Sequence, residues 1–252
     1  MIFFSYLIFI SFITFLLSHY ALKNNILLNQ TGEVHQKFAI NNSVPLTGGL
    51  LILLSIFYEF QEFEKLLIAI LLMFILGIIS DLKIIKSSIL RFFFQLVIII
   101  GYVYFANLQI YDTRVQIIDR FLNNYYFNLF FVTFCILVVV NGSNFIDGMN
   151  SLTTTYYIIV LGILYKLQYF NNLNFQDSYF YMIQICMIIL IFFNFRSKIF
   201  LGDSGSYILG LLFSIFLINL YLDNPQISPF LIILLLWYPC YENLFSILRK
   251  FN

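Results

Sequence analysis

The chain has 252 residues, of which 62% are hydrophobic and only 10% charged, with 32 Phe. Ordinary soluble domains are about 45–50% apolar and about 25% charged, so a water-soluble globule is excluded and a polytopic membrane protein is expected. A net charge of +1 lacks the basic face that a nucleic-acid partner requires. The three cysteines, Cys135, Cys186 and Cys240, fall inside or at the ends of apolar runs and read as small core hydrophobes, not as a disulfide framework or a zinc site.

An apolar run of roughly 20 residues crosses a bilayer as a helix, and shorter runs can do so with thinning or partial burial. Nine spans are predicted in chain order: 2–22, 44–58, 64–80, 88–106, 126–141, 151–168, 178–195, 205–222 and 228–247. The linkers are too short for a separate soluble domain, so the fold is read as all-α, a single transmembrane domain over 1–252. The first run lacks a basic n-region and a small-residue cleavage site, and its first lysine, Lys23, follows it. That pattern is a retained anchor whose C-terminal end faces the cytoplasm.

Nine crossings from an outside N-terminus place 23–43, 81–91, 142–150, 196–204 and 248–252 inside. Nine basic residues accompany that side (Lys23, Lys37, Lys83, Lys86, Arg91, Arg196, Lys198, Arg249, Lys250), against Lys65, Arg114, Arg120 and Lys166 on the other. The excess agrees with the positive-inside rule. The polar motifs not explained as simple turns lie on the same face: His35 to Gly49, Ser80 to Lys83, Asn141 to Asn150 and Asn194 to Ser206. One cytoplasmic site assembled from four loops accounts for this clustering.

Lys198 to Ser206 carries the sharpest signal. Gly202 and Gly205 flank Asp203 and let a bulky anion approach the backbone, while Ser204 and Ser206 sit where the next helix opens its free N–H groups. Such a carboxylate suits a hydrated Mg²⁺, which takes one or two carboxylates plus phosphate oxygens, or it caps the following helix. Asn144, Asp147 and Asn150 are spaced by three, so a helix would present them on one face to a sugar or a base edge; a solvated turn is the plainer use of those residues. Asp81 can take a proton, hold Mg²⁺ or pair with Lys83. Pro45 stands near a helix start, where proline is ordinary, and Glu242 precedes Arg249 by about two turns.

In this order the motifs resemble the polyprenyl-phosphate N-acetylhexosaminyl-1-phosphate transferases of the MraY/WecA superfamily, glycosyltransferase family 4. The resemblance covers roughly residues 30 to 250 and rests on five blocks: His35 with Pro45-Leu-Thr-Gly48-Gly49; Gly77-Ile-Ile-Ser80-Asp81-Leu82-Lys83; Asn144-Phe-Ile-Asp147-Gly-Met-Asn150; Asn194 with Lys198-Ile-Phe200-Leu-Gly202-Asp203-Ser-Gly205-Ser206; and Pro239 with Glu242-Asn-Leu-Phe and Arg249. It implies attack of a polyprenyl (undecaprenyl) phosphate on the β-phosphorus of a UDP-amino sugar, releasing UMP and initiating a cell-surface glycan.

The resemblance also implies roles. Asp203 would bind Mg²⁺, replaceable by Mn²⁺, and Asp81, Asp147 and Asp203 would be catalytic. Asp81 would serve near the lipid phosphate, either as base or behind the metal. Phe200 would stack on uracil, with Gly148, Met149 and Asn150 lining the uridine pocket and Asn144, Asp147 and Asn194 completing the polar shell. Lys83 or Arg91 would neutralise phosphate, and His35 and Lys37 would belong to a substrate-binding first loop. The implied setting is a bacterial inner membrane with the site facing the cytoplasm; a homodimer is a further expected association.

The sequence departs from the family pattern in four places. Ser80-Asp81-Leu82-Lys83-Ile84 keeps one acid of DDxxD, Asn150 replaces the last Asp of DGxDG, and Leu46 replaces the Arg of PRxGG. The chain also ends at Asn252, with only His19 and His35, before the further span and histidine-bearing loop of the family. A C-terminally short member is therefore expected, and the competing reading is an inactive member or a non-enzymatic polytopic membrane protein.

Overall fold

A computed structural model describes residues 2–30, 43–60, 63–148, 151–167, 179–224 and 226–251. Eleven helices account for almost all of these residues: α1 (Ile2–Asn24), α2 (Gly48–Glu59), α3 (Glu64–Asp81), α4 (Ser88–Ala106), α5 (Gln116–Leu122), α6 (Tyr125–Ile146), α7 (Leu152–Lys166), α8 (Tyr179–Phe195), α9 (Gly202–Asp223), α10 (Pro229–Leu235) and α11 (Trp237–Phe251). Each of the nine predicted segments overlaps one of these helices, the last as the bent pair α10–α11; the second is helical only from Gly48, because residues 44–45 are extended, and α5 is an addition. Four described helices are long and apolar enough to cross a membrane, or five if the bent pair, broken by 63°, counts as one.

The expectation of an all-helical chain needs one amendment. Leu28–Gln30 (β1) and Ser43–Pro45 (β2) form an antiparallel ribbon in the register Leu28↔Pro45. The pairing extends through Leu46 N–H to the Leu27 carbonyl at 2.8 Å. Three-residue strands carry no period-two signal in a sequence, which is why the ribbon is invisible there.

Helix ends follow local chemistry. Ser87 and Asn124 cap α4 and α6 by accepting backbone N–H groups, as short polar side chains do. Lys83 at φ 58 turns the chain out of α3, and Asn107 at φ 51 ends α4. Pro239 explains the α10–α11 break: it has no N–H for the Leu235 carbonyl, and the Tyr156 hydroxyl donates to that carbonyl instead.

The core is centred on α9, which packs against α2, α3, α6, α7 and α10. In α9, 83% of the most apolar stretch is buried, whereas in α1 and α4 the share is 17%. A helix apolar all round is buried on all sides, and a helix with an exposed apolar surface belongs against lipid. The arrangement therefore holds the start of α9 at the centre of one end of the bundle. There Gly77 of α3 meets it so closely that a Cβ at 77 would overlap the Ser204 backbone.

Candidate active site

The segment before α9 is held by backbone hydrogen bonds before any functional side chain is considered. Phe200 N–H donates to the Pro45 carbonyl at 2.9 Å, and Gly48 and Gly49 N–H groups donate to the carbonyls of Phe200 and Leu201 at 3.1 and 3.0 Å. The Pro45 to Gly49 motif thus docks the loop that carries Asp203, a role the sequence reading did not give it. Gly202 then turns the chain into α9 at φ +76, and a Cβ there would lie 2.8 Å from Asp81 Oδ2. Glycine is required by conformation and by space together.

Asp203 does not cap its own helix. The cap comes from α3: Asp81 Oδ1 accepts Asp203 N–H at 2.8 Å and Asp81 Oδ2 accepts Ser204 N–H at 3.2 Å. A carboxylate on the first turn of a helix satisfies orphan donors and meets the positive end of the dipole. Asp81 consequently makes no pair with Lys83, which is exposed. Released from capping, Asp203 Oδ2 accepts from Arg91 Nη1 at 2.8 Å and from the Ser80 hydroxyl, while Oδ1 accepts from Asn144 Nδ2 at 2.7 Å. Asn144 also donates to Ser206 Oγ at 3.1 Å. Ser80 is a second addition to the sequence reading: it accepts from Arg91 at 2.7 Å and donates to Asp203.

These groups border a cavity of about 480 Å³. Its lining includes the expected residues Asp81, Lys83, Arg91, Asn144, Asp147, Gly148, Asn194, Phe200 and Asp203, joined by Asn29, Leu46, Ser80, Ile85, Lys86, Leu201 and Gly202. Asp147 follows the last residue of α6, so Asn144 and Asp147 reach the cavity from a helix end and not from a solvated turn. Phe200 and Asn194 are buried at 8% and 4% exposure, and Asn194 Oδ1 has no hydrogen-bond partner among the described residues. His35, Lys37, Met149 and Asn150 lie outside the described residues. Asn29 and Lys86 enter through the ribbon and the α3–α4 turn; the sequence signal for Lys86 was its place in the basic linker.

Three carboxylates around one cavity raise its cost of ionisation. Burial, then the charges of Asp203 and Asp81, push the Asp147 carboxyl well above the usual range. Asp81, one residue past the predicted 64–80 span, is pushed up to about 7 by burial first and the Asp203 charge second, against its two backbone hydrogen bonds. Such crowding creates demand for a cation. Among the described residues no three His, Cys, Asp or Glu side chains converge as a ready-made metal cage. The donor set of carboxylate and amide oxygens fits a hard ion that keeps water and borrows phosphate oxygens.

A family model described as glycosyl transferase family 4 matches residues 63–221. The match spans α3 to α9 and so contains every described carboxylate and amide of the cavity except Asn29. No curated protein matches the chain.

Proposed function

Because the chain belongs to glycosyl transferase family 4, whose members transfer a sugar phosphate to a lipid carrier, we propose that it moves an N-acetylhexosamine-1-phosphate from a UDP-sugar to a polyprenyl phosphate. One observation carries the reading: Asp81, Asp147, Asp203, Arg91 and Asn144, drawn from four separate stretches of chain, line one cavity of about 480 Å³.

In this reaction a lipid phosphate oxygen forms a bond to the β-phosphorus, the bond from that phosphorus to the bridging oxygen breaks, and UMP carries the electron pair away. Two anions must approach each other, so catalysis rests on positioning and charge neutralisation. Arg91, Lys83 and Lys86 are the described cations on the cavity lining and would hold phosphate oxygens. Asp203 and Asp147 would hold Mg²⁺, which supplies Lewis-acid polarisation of the diphosphate when bound. Phe200, Asn194 and Gly148 are the lining residues suited to a uracil ring, an aromatic side chain and an amide whose oxygen has no partner among the described residues. Asp81 keeps Asp203 and Ser204 in place through their N–H groups.

The proposed setting is a bacterial plasma membrane with nine crossings and this cavity at the cytoplasmic face, which the lysine and arginine distribution supports. The test is radiolabelled transfer from UDP-HexNAc to undecaprenyl phosphate in membranes containing the chain. A chloroform-soluble diphosphate-linked sugar with release of UMP is expected. No product from any UDP-sugar, with a family relative active in parallel, overturns the proposal.

A further inference from the structure

Both oxygens of the Asp203 carboxylate are already engaged. Oδ1 accepts from Asn144 at 2.7 Å, and Oδ2 accepts from Arg91 Nη1 at 2.8 Å with the Ser80 hydroxyl on the same atom. The charged partner is itself a cation, and it already neutralises the carboxylate that a divalent ion would use. Two cations on one carboxylate oxygen repel each other, so Arg91 and a metal compete for Asp203. We propose that Arg91 is an exchangeable counter-ion: it neutralises Asp203 until a divalent cation arrives with a nucleotide diphosphate, then transfers its guanidinium from the carboxylate to the diphosphate.

This inference rests on the reading of Asp203 as a metal-binding residue given above. Three observations make exchange, not a fixed ion pair, the expected behaviour. Arg91 sits in the first turn of α4, and its side chain remains 28% exposed and lines the cavity. The Ser80 hydroxyl stays on Asp203 when Arg91 leaves, so departure does not strip the carboxylate of every neutral donor. Finally, a guanidinium matches phosphate oxygens as well as carboxylate oxygens, in the same fork geometry. A diphosphate therefore compensates Arg91 for the charged partner it gives up, whereas a bare metal ion leaves it with the neutral Ser80 hydroxyl and water. Metal and nucleotide must then bind synergistically, and by linkage the enhancement is equal in both directions.

The measurement is Mn²⁺ binding to the purified full chain in lipid nanodiscs, read by electron paramagnetic resonance, with and without UDP and with the Mn²⁺ bound by free UDP subtracted. The wild-type chain is expected to bind Mn²⁺ alone weakly and to gain at least about fivefold in affinity with UDP, the lower end of usual coupling between sites. Arg91→Gln should tighten Mn²⁺ binding alone by a similar factor and lose most of the gain from UDP. Arg91→Lys, which keeps the charge on a point-like head, should fall between the two and carries the comparison if Arg91→Gln does not purify folded. Unchanged or weaker Mn²⁺ binding in both variants, while Asp203→Asn still abolishes it, overturns the exchange and leaves the metal assignment standing. Identical Mn²⁺ behaviour of wild type and Asp203→Asn overturns both.

Discussion

Two polar networks stand at opposite ends of the same helices, built from the same residue types, and they do different things. At the start of α9, Asp81, Asp203, Arg91, Ser80 and Asn144 bond largely to one another's side chains, across up to 123 positions of sequence. At the far end, the bonds run mostly from side chain to backbone. Asn128 is 1% exposed; its Oδ1 accepts Ile110 N–H at 3.1 Å, and its Nδ2 donates to the Ile110 and Leu122 carbonyls. Asp119 accepts the N–H and hydroxyl of Thr113, Arg114 reaches the Ile227 carbonyl at 3.2 Å, and the Tyr221 hydroxyl donates to the Asp112 carbonyl.

The difference is informative because composition does not reveal it. Backbone groups cannot move away or be replaced, so the far network closes on the chain itself when folded; it staples the loop between α4 and α6. The near network concentrates carboxylates beside open volume, where three of them face one described ion pair, Arg91 with Asp203. Polar groups satisfied by backbone stabilise, whereas crowded ionisable groups at a cavity mark a functional site.

The largest expected effect separates the two ends by kind. Asp203→Asn keeps the shape and loses one charge, so transfer activity should fall by about a hundred- to a thousandfold, the scale of a lost electrostatic contact to developing charge, with the thermal midpoint in detergent moving little. Near-normal turnover in that variant would dissolve the contrast between the ends. Asn128→Ala should show the opposite signature. It strands the buried N–H and carbonyl of Ile110, for about 2–4 kcal/mol of stability, while activity per folded molecule stays near wild type.

Gly202→Ala comes next and tests how the near network is held. The side chain must adopt a φ of +76 and sit 2.8 Å from Asp81 Oδ2, so about 1–3 kcal/mol of strain is expected. The strain falls on the cap that positions Asp203, so activity should drop along with the thermal midpoint. A full loss of stability with normal turnover in the remaining folded protein would show that the cap is only structural.

How much of this was legible follows the same division. The nine helical segments were readable because long apolar runs report burial or lipid directly, and most of the near network was readable because carboxylates and amides at the ends of such runs are rare. What the sequence did not reveal was partnership. Asp203 looked like a candidate cap, yet the cap comes from Asp81, 122 positions earlier; no local spacing encodes a helix capped by another helix. Pro45 to Gly49 looked like an ordinary helix start because its work is done by backbone N–H groups, which every residue has. The far network escaped notice for that reason too: Asn128 lies inside an apolar run, and nothing in its neighbours says that its amide clamps Ile110.

Arg114→Ala is the smallest expected effect and the one that places the edge of the far network. Arg114 is exposed and sits at φ 59, held by its own N–H on Asp112 Oδ1 at 2.7 Å, a bond that survives removal of the side chain. Only the guanidinium bond to the Ile227 carbonyl is lost, and that carbonyl can turn to water. An exposed side-chain contact of this kind contributes within about 0.5 kcal/mol, so the thermal midpoint should barely move and transfer activity should be unchanged. A drop as large as that of Asn128→Ala would mean that the staple depends on charge at the surface as much as on the buried amide, and the two ends of the bundle would then differ in degree and not in kind.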